Sequence, residues 1–329
     1  MITITPIKMT GIFANLAEEF IEFKRAQGYK YYNEAKVLKR FCKFTEDYPL
    51  DKPKLTRELI LDWTSPREGE AKKNRMHRIS CMNQFGKYLH SLGYEVQSVL
   101  PQNRWNTDTF TPYIFTHEEI SRLFKAADSV RPAARSRNMH KILPILIRLL
   151  YACGLRVSEA VGLQCKDVDL NSGILTIRDT KTNRDRLIPI AKSLLELLRE
   201  YRTEVIPWAT DVDYFFMAPN RTILSPTTVY VRYRQILWEG GIPYGGKGKG
   251  PRLHDVRHTF AVHALQKWTE TGEDLSAMLP VLSVFLGHSS LKATSQYLRL
   301  TAEVYPDLIK QVEETCAHAI PGGDNCEAD

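Results

Sequence analysis

The 329-residue sequence predicts a mainly helical protein of two domains, the second of which holds a small β-sheet and is therefore α+β. Three observations lead there. Apolar residues recur at helical spacing through residues 14–93. The periodicity vanishes between Glu95 and Tyr113, where prolines bracket a polar run. It resumes at Thr116 and is interrupted once, by two short β-like segments around a polar tip. A chain of this length suffices for two separate cores.

In the first unit, Leu16, Phe20 and Phe23 share one face of a helix that stops at Gly28. Ala35, Leu38, Phe41 and Thr45 mark a second helix, with Lys36, Lys39, Arg40 and Lys43 turned away from that face. Leu59, Ile60 and Trp63 mark a third. A fourth carries Ile79, Met82, Phe85 and Leu89 and ends at Gly93, after a basic approach of Lys72, Lys73, Arg75, His77 and Arg78. Solvation explains any one of these basic faces, but two in one small unit make a grip on a DNA backbone their expected use. The predicted boundaries are 1–97 for this unit and 98–113 for a linker containing VLPQNRWNTDTFTP.

The second unit is expected over 114–315. Thr116 and Glu119 fit a capping box. A helix over 139–153 ends at Gly154, and 156–163 reads as a further helical turn. Residues 173–178 and 186–190 flank TKTNRD as a β-hairpin. Helices follow at about 191–205, 226–238 and 254–269, and again from about 277. Val304, Leu308 and Val312 then form a narrow apolar stripe, and the acidic segment 316–329 is expected to be disordered.

Charge narrows the partner. The formal net charge is +7, yet residues 311–329 hold five acids and no Lys or Arg, so over 1–310 45 cations face 33 acids. A polyanion is indicated, nucleic acid rather than a membrane surface, because no cationic amphipathic anchor is present. The longest apolar run, about 142–153, is broken by Pro144 and Arg148 and is too short to span a bilayer. Six cysteines without a CxxC pair, behind an opening MITITPIKMTG that is no basic-then-apolar leader, point to reduced thiols in the cytoplasm. Metal binding is not expected: His263 lies off the face shared by His254 and His258, and HExxH is absent. GIPYGGKG resembles a phosphate loop but has Gly248 where Ser or Thr would hold magnesium. It reads better as a flexible loop whose Lys247 and Lys249 lie along a phosphate backbone.

Four segments concentrate reactive groups, and each alone has an ordinary explanation. In YACGLRVSEAVGL, Arg156 and Glu159 are three residues apart and could be a surface ion pair. In RDTKTNRDRLIPI, Lys181 could be an exposed turn lysine. In LHDVRHTFAVHAL, His254 and Arg257 project together from a helix that buries Phe260, Ala261 and Leu265. In LGHSSLKATSQYLRL, Tyr297 follows His288 by nine residues and could be the apolar side of a helix.

In this order the four segments resemble the tyrosine recombinases, or phage integrases, over about residues 114–300, with the upstream helices similar to that family's core-binding domain. Thr180 and Thr182 stand where the family often has glycines beside the hairpin lysine. The resemblance implies Tyr297 as nucleophile, with Arg156, Lys181, His254, Arg257 and His288 around it and Glu159 in support. It also implies a C-shaped two-domain clamp on DNA, without a separate amino-terminal reader of arm sites.

The chemistry is intelligible in these residue types. A phenol of pKa near 10 is about 0.1% ionised at neutral pH, so its phenolate costs on the order of 4 kcal/mol unless cations assist. Arginine forks suit the non-bridging oxygens of a phosphodiester, histidines donate hydrogen bonds or shuttle the tyrosyl proton, and a lysine on a hairpin can protonate the leaving 5′-oxygen. Exchange of one phosphodiester for a 3′-phosphotyrosine conserves bond energy, so no cofactor is expected. The expected function is site-specific DNA recombination for integration, excision or transposition of a mobile element. The expected partner is double-stranded DNA with paired sites, bound by a homotetramer in synapsis that is monomeric when free, together with an accessory recombinase or DNA-bending protein. The alternatives are a type IB topoisomerase and a non-catalytic DNA-binding regulator.

Overall fold

The computed structural model describes residues 8–97, 111–133, 138–178, 185–246, 250–288 and 290–304. Lys181, Lys247, Lys249, most of the expected linker, Leu308, Val312 and the acidic end lie outside the described residues. The chain divides into two compact units, Met1–Phe110 and Thr111–Asp329.

The first unit contains helices α1 (Ala14–Ala26), α2 (Tyr32–Phe44), α3 (Arg57–Thr64) and α4 (Lys72–Ser91). An aromatic cluster holds them together. Phe41 contacts Phe13 at 5.4 Å and meets Trp63 edge-on at 5.4 Å, and Phe20 contacts Phe85 at 5.4 Å. Full burial of each such ring contributes about 2–3 kcal/mol. Phe23 departs from expectation: it is 46% exposed and lies against Tyr88 instead of entering the core.

The basic stretch 72–78 is not an approach to α4 but its first two turns. Arg75 and Arg78 continue, at i+3 and i+7 spacing, the stripe that buries Met82, Phe85 and Leu89, so both turn inward. Arg75 Nε donates to the Thr64 carbonyl at 2.9 Å. Arg78, only 3% exposed, donates Nη2 to the Ser65 carbonyl at 3.0 Å, pairs with Glu70 and lies over the Trp63 ring. These two arginines satisfy the carboxyl end of α3, and the burial of Arg78 is contrary to its expected role at a DNA surface. Lys36, Lys39, Arg40, Lys43, Lys72 and Lys73 remain exposed.

The second unit opens with α5 (His117–Asp128), whose capping box joins Thr116 and Glu119 as expected, and α6 (Met139–Ala152). Then come α7 (Val157–Gly162), strands β1 (Val168–Asp169), β2 (Ile174–Ile177) and β3 (Arg186–Pro189), and helices α8 (Lys192–Glu204), α9 (Pro226–Glu239) and α10 (Asp255–Glu270). The strands form one antiparallel sheet in the order β1-β2-β3, with Ile177 opposite Arg186.

The helix expected from about 277 is two helices, α11 (Leu275–Leu286) and α12 (Leu291–Val304). They are separated at Gly287, which adopts φ +64. Residues 271–274 connect α10 to α11, with Gly272 at positive φ and Asp274 capping α11 through Ser276 N–H. The main core runs from Phe115 to Val256. A smaller one joins α10, α11 and α12 through Ala261, Leu265, Leu282, Leu286 and Leu300. Among the described residues no helix is long and apolar enough to cross a membrane.

Candidate active site

Two glycine turns bring the four reactive segments together. Gly154 ends α6 at φ +55, where a Cβ would fall 2.6 Å from the Phe260 ring and 2.9 Å from Leu286, so only glycine permits the close approach that sets Arg156 at the start of α7. At Gly287 a Cβ would fall 2.8 Å from Arg186 Nη1. This turn carries His288 and leads into α12, which carries Tyr297.

Glu159 is the hub. Its carboxylate, 6% exposed, binds Arg156 Nη1 at 2.7 Å and takes Arg186 as a fork, Nη1 at 3.2 Å and Nη2 at 2.8 Å, with Arg257 Nη1 at 3.9 Å. Burial alone would raise its pKa. The hydrogen bonds and charges of Arg186 and Arg156 outweigh that and bring it down to about 2. Arg186 also donates Nε to the Phe285 carbonyl at 2.9 Å, so one buried side chain ties β3 to α7 and α11. Arg257, 2% exposed, donates to the carbonyls of Gly154 at 2.7 Å and Leu286 at 2.5 Å. Burial, with Arg156 nearby, pulls its guanidinium down to about 10, still protonated at neutral pH.

Tyr297 is 1% exposed, and its hydroxyl lies 2.9 Å from His258 Nδ1. Burial raises the phenol pKa, and Arg257 and Arg156 act against it. The His288 ring stacks on Tyr297 at 15° and 6.0 Å, held by Thr294 Oγ1 at 2.8 Å from its Nδ1. His254 caps α10 and stands edge-on to His258 at 4.8 Å. Burial first, then the neighbouring cations, lowers His254 and His288 to about 4 and His258 to about 3, so all three are neutral at physiological pH.

The structure thus gathers Arg156, Glu159, His254, Arg257, His288 and Tyr297 at one place in the second unit. His263 stands apart from them, its Nδ1 2.8 Å from Tyr151 Oη and its ring stacked on His117. The sequence reading did not give His258 a place beside Tyr297, nor did it single out Arg186. A signal existed for the second: Arg186 and Ile188 alternate inward on β3, and a cation facing a core requires a carboxylate. In the first unit, exposed Lys36, Arg40 and Lys73 share with Arg67 a groove of about 600 Å³.

The hub makes a stability prediction. Glu159→Gln leaves Arg186 and Arg257 buried without their anion and should lower stability by about 3 kcal/mol, a drop in Tm of roughly 6–12 °C. Because the folded-state pKa is depressed, this contribution is complete above the unfolded value near 4.5 and fades as pH falls toward about 2. Thermal melts of both proteins across that window should converge at the acid end. Equal melting temperatures at neutral pH would contradict the hub role.

Comparisons with known proteins find relatives over most of the chain. The sequence pattern of the phage integrase family matches residues 114–303. A Sinorhizobium fredii (strain NBRC 101917 / NGR234) protein provisionally named integrase/recombinase y4rB is 30% identical over 312 residues, covering 92% of this chain and 97% of its own length. Tyrosine recombinase XerA of Pyrococcus furiosus is 33% identical over 206 residues, 61% of this chain and 62% of that protein. Among solved structures, XerH site-specific recombinase bound to palindromic difH substrate, in a post-cleavage complex, shares the fold with a TM-score of 0.61 at 18% identity, covering 86% of this chain and 78% of that one.

Proposed function

Because the chain belongs to the phage integrase family, whose members are tyrosine recombinases, we propose that it cleaves and rejoins DNA at paired sites through a 3′-phosphotyrosine on Tyr297. One observation carries this assignment: a buried tyrosine lies among Arg156, Arg257, His254, His258 and His288, all within one unit. Arg156 and Arg257 bind the non-bridging oxygens and stabilise the charge that grows on them. His254 and His288 add hydrogen bonds, Glu159 holds the arginines in register, and Lys181 protonates the leaving 5′-oxygen. The first unit grips the backbone of the same DNA through Lys36, Lys39, Arg40, Lys43, Lys72 and Lys73, and Lys247 and Lys249 add contacts from the second.

The XerH complex holds its DNA substrate, and a lambda integrase structure is a dimer bound to a core site. By analogy this chain acts as a homotetramer on two paired sites, assembled from monomers with or without an accessory DNA-bending protein, in the cytoplasm and on a mobile element. The test takes an inverted repeat selected by binding of the protein to random DNA and places two copies, in direct orientation, on a supercoiled plasmid. Two smaller circles are expected. Relaxation without exchange would indicate a topoisomerase, and tight binding without any covalent adduct a regulator.

A further inference from the structure

Beside Arg257 and Gln296, which donate, the Tyr297 hydroxyl meets a ring nitrogen of His258, a residue left without a role so far. Its Nδ1 is 2.9 Å from Tyr297 Oη, with ring centroids 5.6 Å apart. The other two histidines at the site are placed differently. His288 spends its Nδ1 on Thr294 Oγ1 and presents its ring face to Tyr297, and His254 stands edge-on behind His258. We propose that His258 is the general base of the cleavage step, receiving the phenolic proton on Nδ1 as the Tyr297 oxygen attacks phosphorus; this rests on the assignment of Tyr297 as nucleophile.

The step balances within the site. The Tyr297 O–H bond breaks and its proton passes to His258 Nδ1, making an imidazolium. The new O–P bond forms as the P–O5′ bond breaks, and the leaving oxygen takes a proton from the general acid assigned above to Lys181. On rejoining, the 5′-hydroxyl attacks phosphorus and gives its proton back to Lys181, the O–P bond to Tyr297 breaks, and His258 returns its proton to the phenolate. Acceptance at Nδ1 requires the tautomer with hydrogen on Nε2, as in a neutral imidazole.

The groups facing His258 are Arg252, His254 and Arg257 from α10 and the turn before it, His288 from the α11–α12 turn, and Tyr297 from α12. In the absence of DNA, burial and after it these groups keep the imidazole unprotonated and weakly basic, so the proton stays on the phenol. A bound phosphodiester neutralises the guanidiniums that depress this base, raising its basicity when the nucleophile is needed.

The experiment measures single-turnover adduct formation on a nicked suicide substrate, with the adduct mapped to its residue by peptide analysis. His258→Ala and His258→Gln should remain folded and bind DNA with unchanged affinity, yet form adduct about 10²–10⁴-fold more slowly. Replacing Tyr297 by a difluorotyrosine, a more acidic phenol that needs a base less, should recover at least about tenfold of that loss in the His258→Ala protein and little in the parent. Cleavage within about threefold of the parent in either folded variant, or a defect that the acidic phenol leaves unchanged, overturns the base assignment while leaving Tyr297 as nucleophile. An adduct on another residue of the parent overturns both.

Discussion

Tyr297→Phe should bind its DNA site as the parent does and give no covalent adduct on a nicked suicide substrate. The substitution removes the only atom proposed to attack phosphorus, so the loss is complete rather than graded. The ring remains to fill the core between α10, α11 and α12, where it is 1% exposed, so the fold persists. The missing hydroxyl leaves His258 Nδ1 without its partner, at about 1–3 kcal/mol. A gel shift beside a denaturing gel separates the two outcomes: bound but unreacted DNA is expected, and an adduct of undiminished yield would remove Tyr297 from the mechanism.

Arg257→Lys should slow cleavage by roughly one to three orders of magnitude with little change in DNA affinity. A lysine keeps the charge but has no planar fork. Arg257 spends one nitrogen on the Gly154 carbonyl and another on the Leu286 carbonyl, which fixes the plane it presents. A lysine cannot satisfy both carbonyls and still face the phosphate. Arg156→Lys should show a similar kinetic loss and keep the parent's stability, whereas Arg257→Lys should melt lower, since Arg156 is 26% exposed and its charge stays within reach of Glu159. Single-turnover cleavage and thermal melts of the two variants test this. Equal cleavage by Arg257→Lys and the parent would mean that the fork is not used.

Much of the scaffold was legible in the sequence because its signals are local. The capping box at Thr116, the glycine after α6, the strand pair around TKTNRD and the apolar spacing of α2 and α3 each depend on residues within a few positions of one another. The motif residues were legible as a set because their order along the chain is distinctive. What escaped depends on distant partners. His258 meets Tyr297 across 39 positions, and Arg186 meets Glu159 across 27. Arg75 and Arg78 looked like surface cations because nothing nearby in the chain shows that the end of α3 needs their hydrogen bonds. The break at Gly287 was missed for a related reason: apolar spacing runs through it, and the left-handed turn follows from the packing of Arg186 against that glycine.

The Glu159 hub has a further meaning in charge balance. Arg156, Arg186 and Arg257 surround one carboxylate, and the three adjacent histidines are neutral, so the pocket formed by these residues holds two positive charges in excess. A phosphodiester in its ground state brings a single negative charge and leaves the pocket half neutralised. The five-coordinate phosphorus formed as Tyr297 attacks carries two, with the tyrosyl proton now on His258, so negative charge grows on the oxygens that face the arginine forks while its counter-charge stays inside the pocket. The stronger attraction of the arginine forks for the more highly charged non-bridging oxygens is the differential binding from which a rate enhancement arises. On this basis vanadate, bridging a tyrosine and a 5′-hydroxyl in the same geometry, would be held more tightly than the intact DNA strand it imitates.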